Sequence, residues 1–554
     1  MGKIYGGHLV SKFLKEIERI STVFGLCGGH IDSILDGLFE HKIRAIDVRH
    51  EQAAVMMAHA WSIYGNHVGI SLVTAGPGFT NALTGLVNAF LDNVPLVLIS
   101  GTAPIKDVDK GALQDMDQLD MIRSYVKWGA RCMETARIPE YLSKAINIAK
   151  SGRPGPVFLE FPPDVLNKKI EESEIIYPNP SSKYNYMGPM KDIKKAAELI
   201  NNAKRPLLIA GSGIAYSNCQ DELIEFIEKT NIPFALMNAG RGTIPDEHPL
   251  SLWDGGQTAI LTAASQADLV ISLGIRYNWL LLFGQIFPQA KHIRVDIEPS
   301  EINMNRVSDV GITGDIGLVL RQLVKEVKKV DREEYVRELK DSYSSLISGE
   351  LEQRQKTSSP IHPARLVEVV KNIAPRDSIF IADGGDISYF ALMGLKANTR
   401  GGVLGSASGQ FGCLGTGIPF GIAAKLAQPE QEVFVINGDG SFGFNAMEFD
   451  TAIRHGVKIT CVISNDRAWG MIKHGQELNY GSDRVYCSEL RSAHYEGIVK
   501  ALGGHGEFVE KHEELEPALK RAIASDKPSC VNVLTDPAVT SPVTLLFSDS
   551  LKVE

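Results

Sequence analysis

Nowhere in the 554 residues do about 18 consecutive apolar side chains occur, the length a helix needs to cross a bilayer, so no membrane span is expected. Paired cysteines are missing as well. The seven (Cys27, Cys132, Cys219, Cys413, Cys461, Cys487, Cys530) stand singly, with neither a CxxC pair nor disulfide-like spacing, which argues against a zinc framework or a secreted disulfide scaffold. Positive charge is in deficit: 57 Lys and Arg face 66 Asp and Glu, for a net charge of -9, and no basic stripe is present. Nucleic acid is therefore not an expected partner. The opening MGKIYGGHLVSKFL lacks the apolar run and small-residue cleavage site of a signal peptide. A soluble protein with reduced thiols in the cytoplasm is the expectation.

Hydrophobic residues make up 44% and charged residues 22%, an ordinary globular balance, and at roughly 100–200 residues per domain the length suggests about three domains. Short apolar runs without polar alternation recur: IRAIDV (43–48), VGISLVTA (68–75), VPLVLIS (94–100) and PVFLEF (156–161). Such runs, separated by helical stretches, read as parallel strands covered on both faces. After a polar segment at roughly 164–190, RPLLIAGSG, ADLVISLG and HIRVDIEP repeat the pattern. After a second polar stretch at 328–356, DSIFIADGG, QEVFVINGDGSF, VKITCVISND and SCVNVLTD repeat it again. The expected fold is α/β, with three tandem doubly wound parallel-sheet domains at 1–170, 190–345 and 360–554. In such sheets ligands bind at the C-terminal ends of the strands.

In the third block, Gly438-Asp439-Gly440-Ser441 follows the strand VFVIN, and Asn465-Asp466 closes the next strand. A strand-ending Gly-Asp-Gly admits a diphosphate close to the backbone, Asp439 offers a hard oxygen to Mg²⁺, and a helix starting near 442 would point its N-terminus at the anion. Alone, the motif reads equally well as a tight turn. In the first block, IDVRHEQAA places Glu51 just past a strand at the start of an apolar helix, where a carboxylate also suits the helix dipole.

The pair GDGS and ND, separated by the strand KITCVIS, resembles the thiamin-diphosphate (ThDP) binding motif of the decarboxylase and acetolactate synthase superfamily. VTAGPGFTNALTGLVNAFLDNVPLVLISG, GRPGPVFLEFPPDV and RHEQAA resemble its pyrimidine-binding domain, in the same order. The resemblance implies pyrimidine-binding, middle and diphosphate-binding domains. It also implies that Asp439 and Asp466 hold Mg²⁺ through their side chains and Ala468 through its carbonyl, beside Gly438, Gly440 and Ser441. Gly412 would accept from the aminopyrimidine, Leu414 would wedge beneath the bent cofactor, and Glu51 would activate it. It further implies a homodimer or homotetramer with active sites shared between subunits. Asp466 departs from the asparagine more common in the family. Some members hold FAD in the middle domain; here the loops GSGIAY (211–216) and GIRYNW (274–279) read either as nucleotide loops or as plain strand-ending turns.

GLCGGHIDSIL (25–35) resembles the GLHGAHID-like segment of benzaldehyde lyase and its relatives, rather than the FGYPGG-type stretch of acetolactate synthases. ALQDMDQ with VKWG, MEFDTAIR and AWGMIKHGQEL extend that resemblance and read as pocket-forming. His30 would then exchange the proton of a substrate hydroxyl, with Gln114 on the same oxygen, because a ring titrating near neutrality serves bond cleavage and formation alike. A helix-cap or core histidine is the competing reading. Cys27 and Pro163 replace a histidine and a tryptophan of the lyase pocket. The expected activity is a carbon–carbon lyase or carboligase acting on acyloins and aldehydes. An acetolactate synthase-type carboligase of 2-keto acids and a 2-hydroxyacyl-CoA lyase are the alternatives. The C-terminal 537–554 is expected to close over the pocket.

Overall fold

The computed structural model describes residues 2–65, 67–182, 185–405 and 409–545. The apolar runs quoted above are strands, and all of them pair in parallel. The first sheet orders Arg44–Asp47, Thr22–Gly25, Gly69–Val73, Leu96–Gly101, Pro156–Phe161 and Gly129–Arg131 side by side. The third runs Val403–Gly405, Ile379–Asp383, Val433–Gly438, Thr460–Asn465, Ser529–Leu534 and His505–Val509. Numbered within each sheet along the chain, both follow the order 2-1-3-4-6-5. Both therefore open a crevice between their first and third strands, where the connections leave in opposite directions. The second sheet has five strands, Phe234–Leu236, Pro206–Ala210, Leu269–Leu273, Lys291–Asp296 and Val310–Thr313.

Several edge strands were not expected from the sequence, being only three to five residues long, and neither was the antiparallel pairing of Lys3–Tyr5 with Lys169–Glu171. The polar stretch at 328–356 forms the helices Glu333–Ser344 and Ser348–Gln355. The first of these buries Tyr335, Leu339 and Tyr343 against the second domain's core. Among the described residues no helix is long and apolar enough to cross a membrane.

The helix Glu51–Tyr64 is apolar nearly all round because both of its sides are covered. It packs on its own sheet and on the helix Gly417–Ala427 of the third domain, in one core containing Met56, Met57, Phe420 and Ile422. Each such fully buried side chain stabilises by about 1.5–3 kcal/mol.

The second and third domains are joined by RGTIPDEHPL. Arg241 and Asp246, 2% and 3% exposed, form a 2.8 Å ion pair. Arg241 also donates to the carbonyls of Leu392 and Leu395 and lies 3.5 Å over the Trp253 ring, while Asp246 accepts from Ala397 N. Burial pushes the Asp246 carboxyl up and the Arg241 guanidinium down, so each depends on the other for its charge. Asp246→Ala strands a buried cation and is expected to cost about 3–5 kcal/mol, read as a lowered midpoint in urea unfolding.

Candidate active site

His30 occupies the turn after Thr22–Gly25, two residues before the helix Asp32–Glu40 rather than within it. Its Nδ1 lies 3.3 Å from Thr74 Oγ1, and its Cβ sits where a side chain on Gly101 would be. Thr74 closes the neighbouring strand, so the pair stands in the first sheet's crevice. At Gly76 the backbone turns with φ +59, which L side chains rarely adopt, and Gln114 packs directly on it. Gln118, fully buried, is committed to structure: it accepts from Gly76 N and donates to Gly101 O and Glu160. Gln114 makes no side-chain hydrogen bond among the described residues, and its side chain packs on Gly76.

Glu51 is the first residue of its helix, is 7% exposed, and accepts from Asn81 Nδ2 at 2.9 Å. Gly78 lies against both Thr74 and Glu51, which places His30, Thr74 and Glu51 in one neighbourhood. Thr74 and Asn81 belong to this constellation and were not singled out from the sequence. The signal was a threonine at a strand's C-terminal end and an asparagine on a helix otherwise rich in apolar residues.

The third sheet's crevice opens into a cavity of about 620 Å³ lined by residues of the second and third domains. Gly438, Asp439, Gly440, Ser441, Asp466 and Ala468 line it, as do Gly412 and Leu414. Gly440 permits the close approach of Trp469, whose ring stands 2.7 Å from where a Cβ would be. The helix starts at Asp439 rather than near 442, because the strand ends at Gly438 and the acidic residue fills the first turn. Ser441 Oγ is engaged with Asn437, Gly438 and Asp383. Leu414 is half-buried in a loop. That loop is shaped by Asp383, which accepts from Gly415 N and Gly417 N and whose carboxyl burial pushes up to about 6.

Asp439 Oδ2 is buried without a hydrogen-bond partner, and Asp466 Oδ1 accepts from Ala468 N at 3.0 Å. Burial raises both carboxyls above the usual range, and the negative charge of Asp466 raises Asp439 further. Two buried carboxylates with an orphan oxygen and glycine-lined walls fit a divalent cation shared with a diphosphate. Residues 383–533 match the thiamine pyrophosphate enzyme C-terminal TPP binding domain, 193–323 the central domain, and 4–121 the N-terminal TPP binding domain. The chain belongs to the ThDP-dependent decarboxylase and acetolactate synthase superfamily.

Within that superfamily this ThDP enzyme is 34% identical over 548 residues to the acetolactate synthase large subunit IlvG of Mycobacterium tuberculosis, covering 97% of each chain. It is 31% identical over 569 residues to a 2-hydroxyacyl-CoA lyase of Arabidopsis thaliana (96% of each). It is 29% identical over 565 residues to the human 2-hydroxyacyl-CoA lyase 1, covering 97% of this chain and 96% of the relative.

AWGMIKHGQEL lines the cavity through Trp469, Met471 and Ile472, whereas MEFDTAIR lines neither of the two cavities described in this section. Asp386 accepts from His474, Ser541 and Thr544, and His474 Nε2 lies 2.9 Å from Pro537 O. Burial disfavours a charged His474, but Asp386 and the Pro537 carbonyl outweigh it and raise its pKa. Val539 and Val543 thereby lie along the cavity; residues 546–554 of the expected cover lie outside the described residues.

The loops GSGIAY and GIRYNW border a second cavity, between the three domains. At about 130 Å³ it is well below the roughly 300–1,000 Å³ of ligand pockets, and Arg276 in its wall is tied to Leu91 O and to Gln410 Oε1 at 2.7 Å.

Proposed function

We propose that this enzyme is a ThDP- and Mg²⁺-dependent carbon–carbon lyase and carboligase of neutral 2-hydroxy ketones and aldehydes, akin to benzaldehyde lyase. One observation carries the reading: the 620 Å³ cavity has no Lys, Arg or His among its described lining residues. The second domain lines it with Trp253, Ile260, Leu261, Trp279, Leu280 and Ile286. From this chain's own lining a 2-keto acid would find no cation for its carboxylate, whereas an uncharged carbonyl compound has no charge to bury and needs only a hydrogen bond to its oxygen.

When bound, ThDP supplies a nucleophilic carbon and a sink for the electron pair of the broken bond. Asp439, Asp466 and the Ala468 carbonyl would hold the cation, and the amides of Gly438, Gly440 and Ser441 the diphosphate. Gly412 and Leu414 would set the cofactor's bend. Glu51 holds a proton on the pyrimidine side. His30 takes the substrate hydroxyl proton as the bond breaks and returns it when a bond forms, and Gln114 orients the same oxygen. None of Glu51, His30 and Gln114 is in the cavity wall of its own chain, which supports a homodimer or homotetramer in which a second copy brings them there.

The test is aldehyde release from acetoin and longer acyloins by the purified protein with ThDP and Mg²⁺, alongside carbon dioxide release from pyruvate. Acyloin cleavage without decarboxylation is expected. Acetolactate formation from pyruvate at a comparable rate would replace this reading with the synthase one, which the mycobacterial relative favours. His30→Ala is expected to slow cleavage by about 10²–10⁴-fold. Cleavage at the native rate would make the ring a structural element of the turn.

A further inference from the structure

Glu51 opens its helix, and the first turn of a helix leaves its amides unpaired and prone to fray. A reciprocal capping box would fasten that end, with the residue at the N-cap accepting from the first turn and a Glu or Gln at the third helical position reaching back. The first half is present, since His50 Nδ1 accepts from Gln52 N at 3.2 Å. The third helical position is Ala53, which cannot supply the second half.

The missing carboxylate comes from another domain. Glu448 Oε1 accepts from His50 N at 3.1 Å and from Arg49 N at 3.0 Å, and its Oε2 accepts from Thr451 Oγ1 at 2.6 Å. The same short helix, Glu448–Arg454, grips the turn at further points. Arg454 donates to the carboxylate and carbonyl of Asp47, His455 Nε2 lies 2.8 Å from Asp47 Oδ1, and Asp450 is 3.6 Å from Arg49. Glu448 is 1% exposed, and burial pushes its carboxyl up to about 7 despite these donors. Such a group is costly to bury unless its hydrogen bonds are made.

We propose that Glu448 is the positioning residue for Glu51, completing across the domain boundary the cap that fixes where the 51–64 helix begins and hence where the Glu51 carboxylate points. The proposal rests on the reading of Glu51 as the cofactor's proton partner. MEFDTAIR thus serves the active site through the backbone of another domain.

The experiment measures hydrogen–deuterium exchange at the C2 carbon of enzyme-bound ThDP, together with ThDP affinity and amide exchange of the 47–56 segment without cofactor. Glu448→Ala is expected to slow C2 exchange about 100-fold, the scale of a 1 Å misplacement, and to deprotect the segment, while ThDP binds normally. Glu448→Gln keeps an acceptor oxygen for both amides and is expected to stay within about fivefold of the native rate. Should the alanine variant not fold, Glu448→Asp, which withdraws the carboxylate by one methylene, is expected to show the same pattern at about tenfold. C2 exchange at the native rate in Glu448→Ala, with Glu51→Gln slow, overturns the positioning role alone. Native exchange in Glu51→Gln overturns the reading of Glu51, and the proposal with it.

Discussion

Glu51→Gln is expected to lower turnover by about 10²–10⁴-fold in both cleavage and ligation while ThDP and Mg²⁺ still bind. The amide keeps the size of the side chain and can retain a contact with Asn81, but it cannot hold or release the proton. Single-turnover rates and ThDP affinity, measured on the same preparation, separate this outcome from simple loss of cofactor. Wild-type-like turnover would remove Glu51 from the mechanism. The placement of the residues adds a sharper consequence. Glu51 is not in the cavity wall that holds Asp439 of its own chain. Two dead variants, Glu51→Gln and Asp439→Ala, should therefore rescue one another when their subunits are mixed and reassorted. About half the dimers would be mixed, each with one intact site, which gives about a quarter of native activity. If both groups served a site within one chain, mixing would restore nothing.

The sequence makes the central strands legible for a physical reason. A parallel strand covered on both faces reads as a near-continuous apolar run, as Pro206–Ala210 does, and the ligand end of each follows from its direction. Edge strands such as Val403–Gly405 and Gly129–Arg131 span too few residues to carry a pattern. Asp439 and Asp466 stand out because each directly follows a strand of one sheet, and Glu51 because it follows a strand and opens a helix. Glu448 is not readable in the same way: its partners Arg49 and His50 lie 399 and 398 residues away, and nothing local to MEFDTAIR marks it. The same holds for Asp386 and His474, which meet the C-terminal segment only in the folded chain. Gln114 and Gln118 are alike in sequence. Only packing shows that the second is consumed by Gly76, Gly101 and Glu160.

Magnesium affinity is expected to rise with pH, and Asp439→Ala to weaken Mg²⁺-dependent ThDP binding by about 100-fold or more. Without a cation, burial and the facing Asp466 raise the Asp439 carboxyl, and burial raises Asp466 as well. A carboxyl raised in the folded state binds a proton that the unfolded chain has already released. The metal-free fold therefore loses stability as pH climbs from the ordinary carboxylate range through the raised value. A cation replaces that proton, so its binding is opposed at low pH and freed at high pH. The midpoint of thermal unfolding should accordingly gain more from Mg²⁺ with ThDP at pH 8 than at pH 6. Asp466→Asn removes the facing charge, lets Asp439 ionise at lower pH and should flatten that dependence while leaving the site able to bind. A Mg²⁺ affinity independent of pH in the native protein would mean that the two carboxylates do not share a proton, and that Asp466 stands beside the metal site rather than in it.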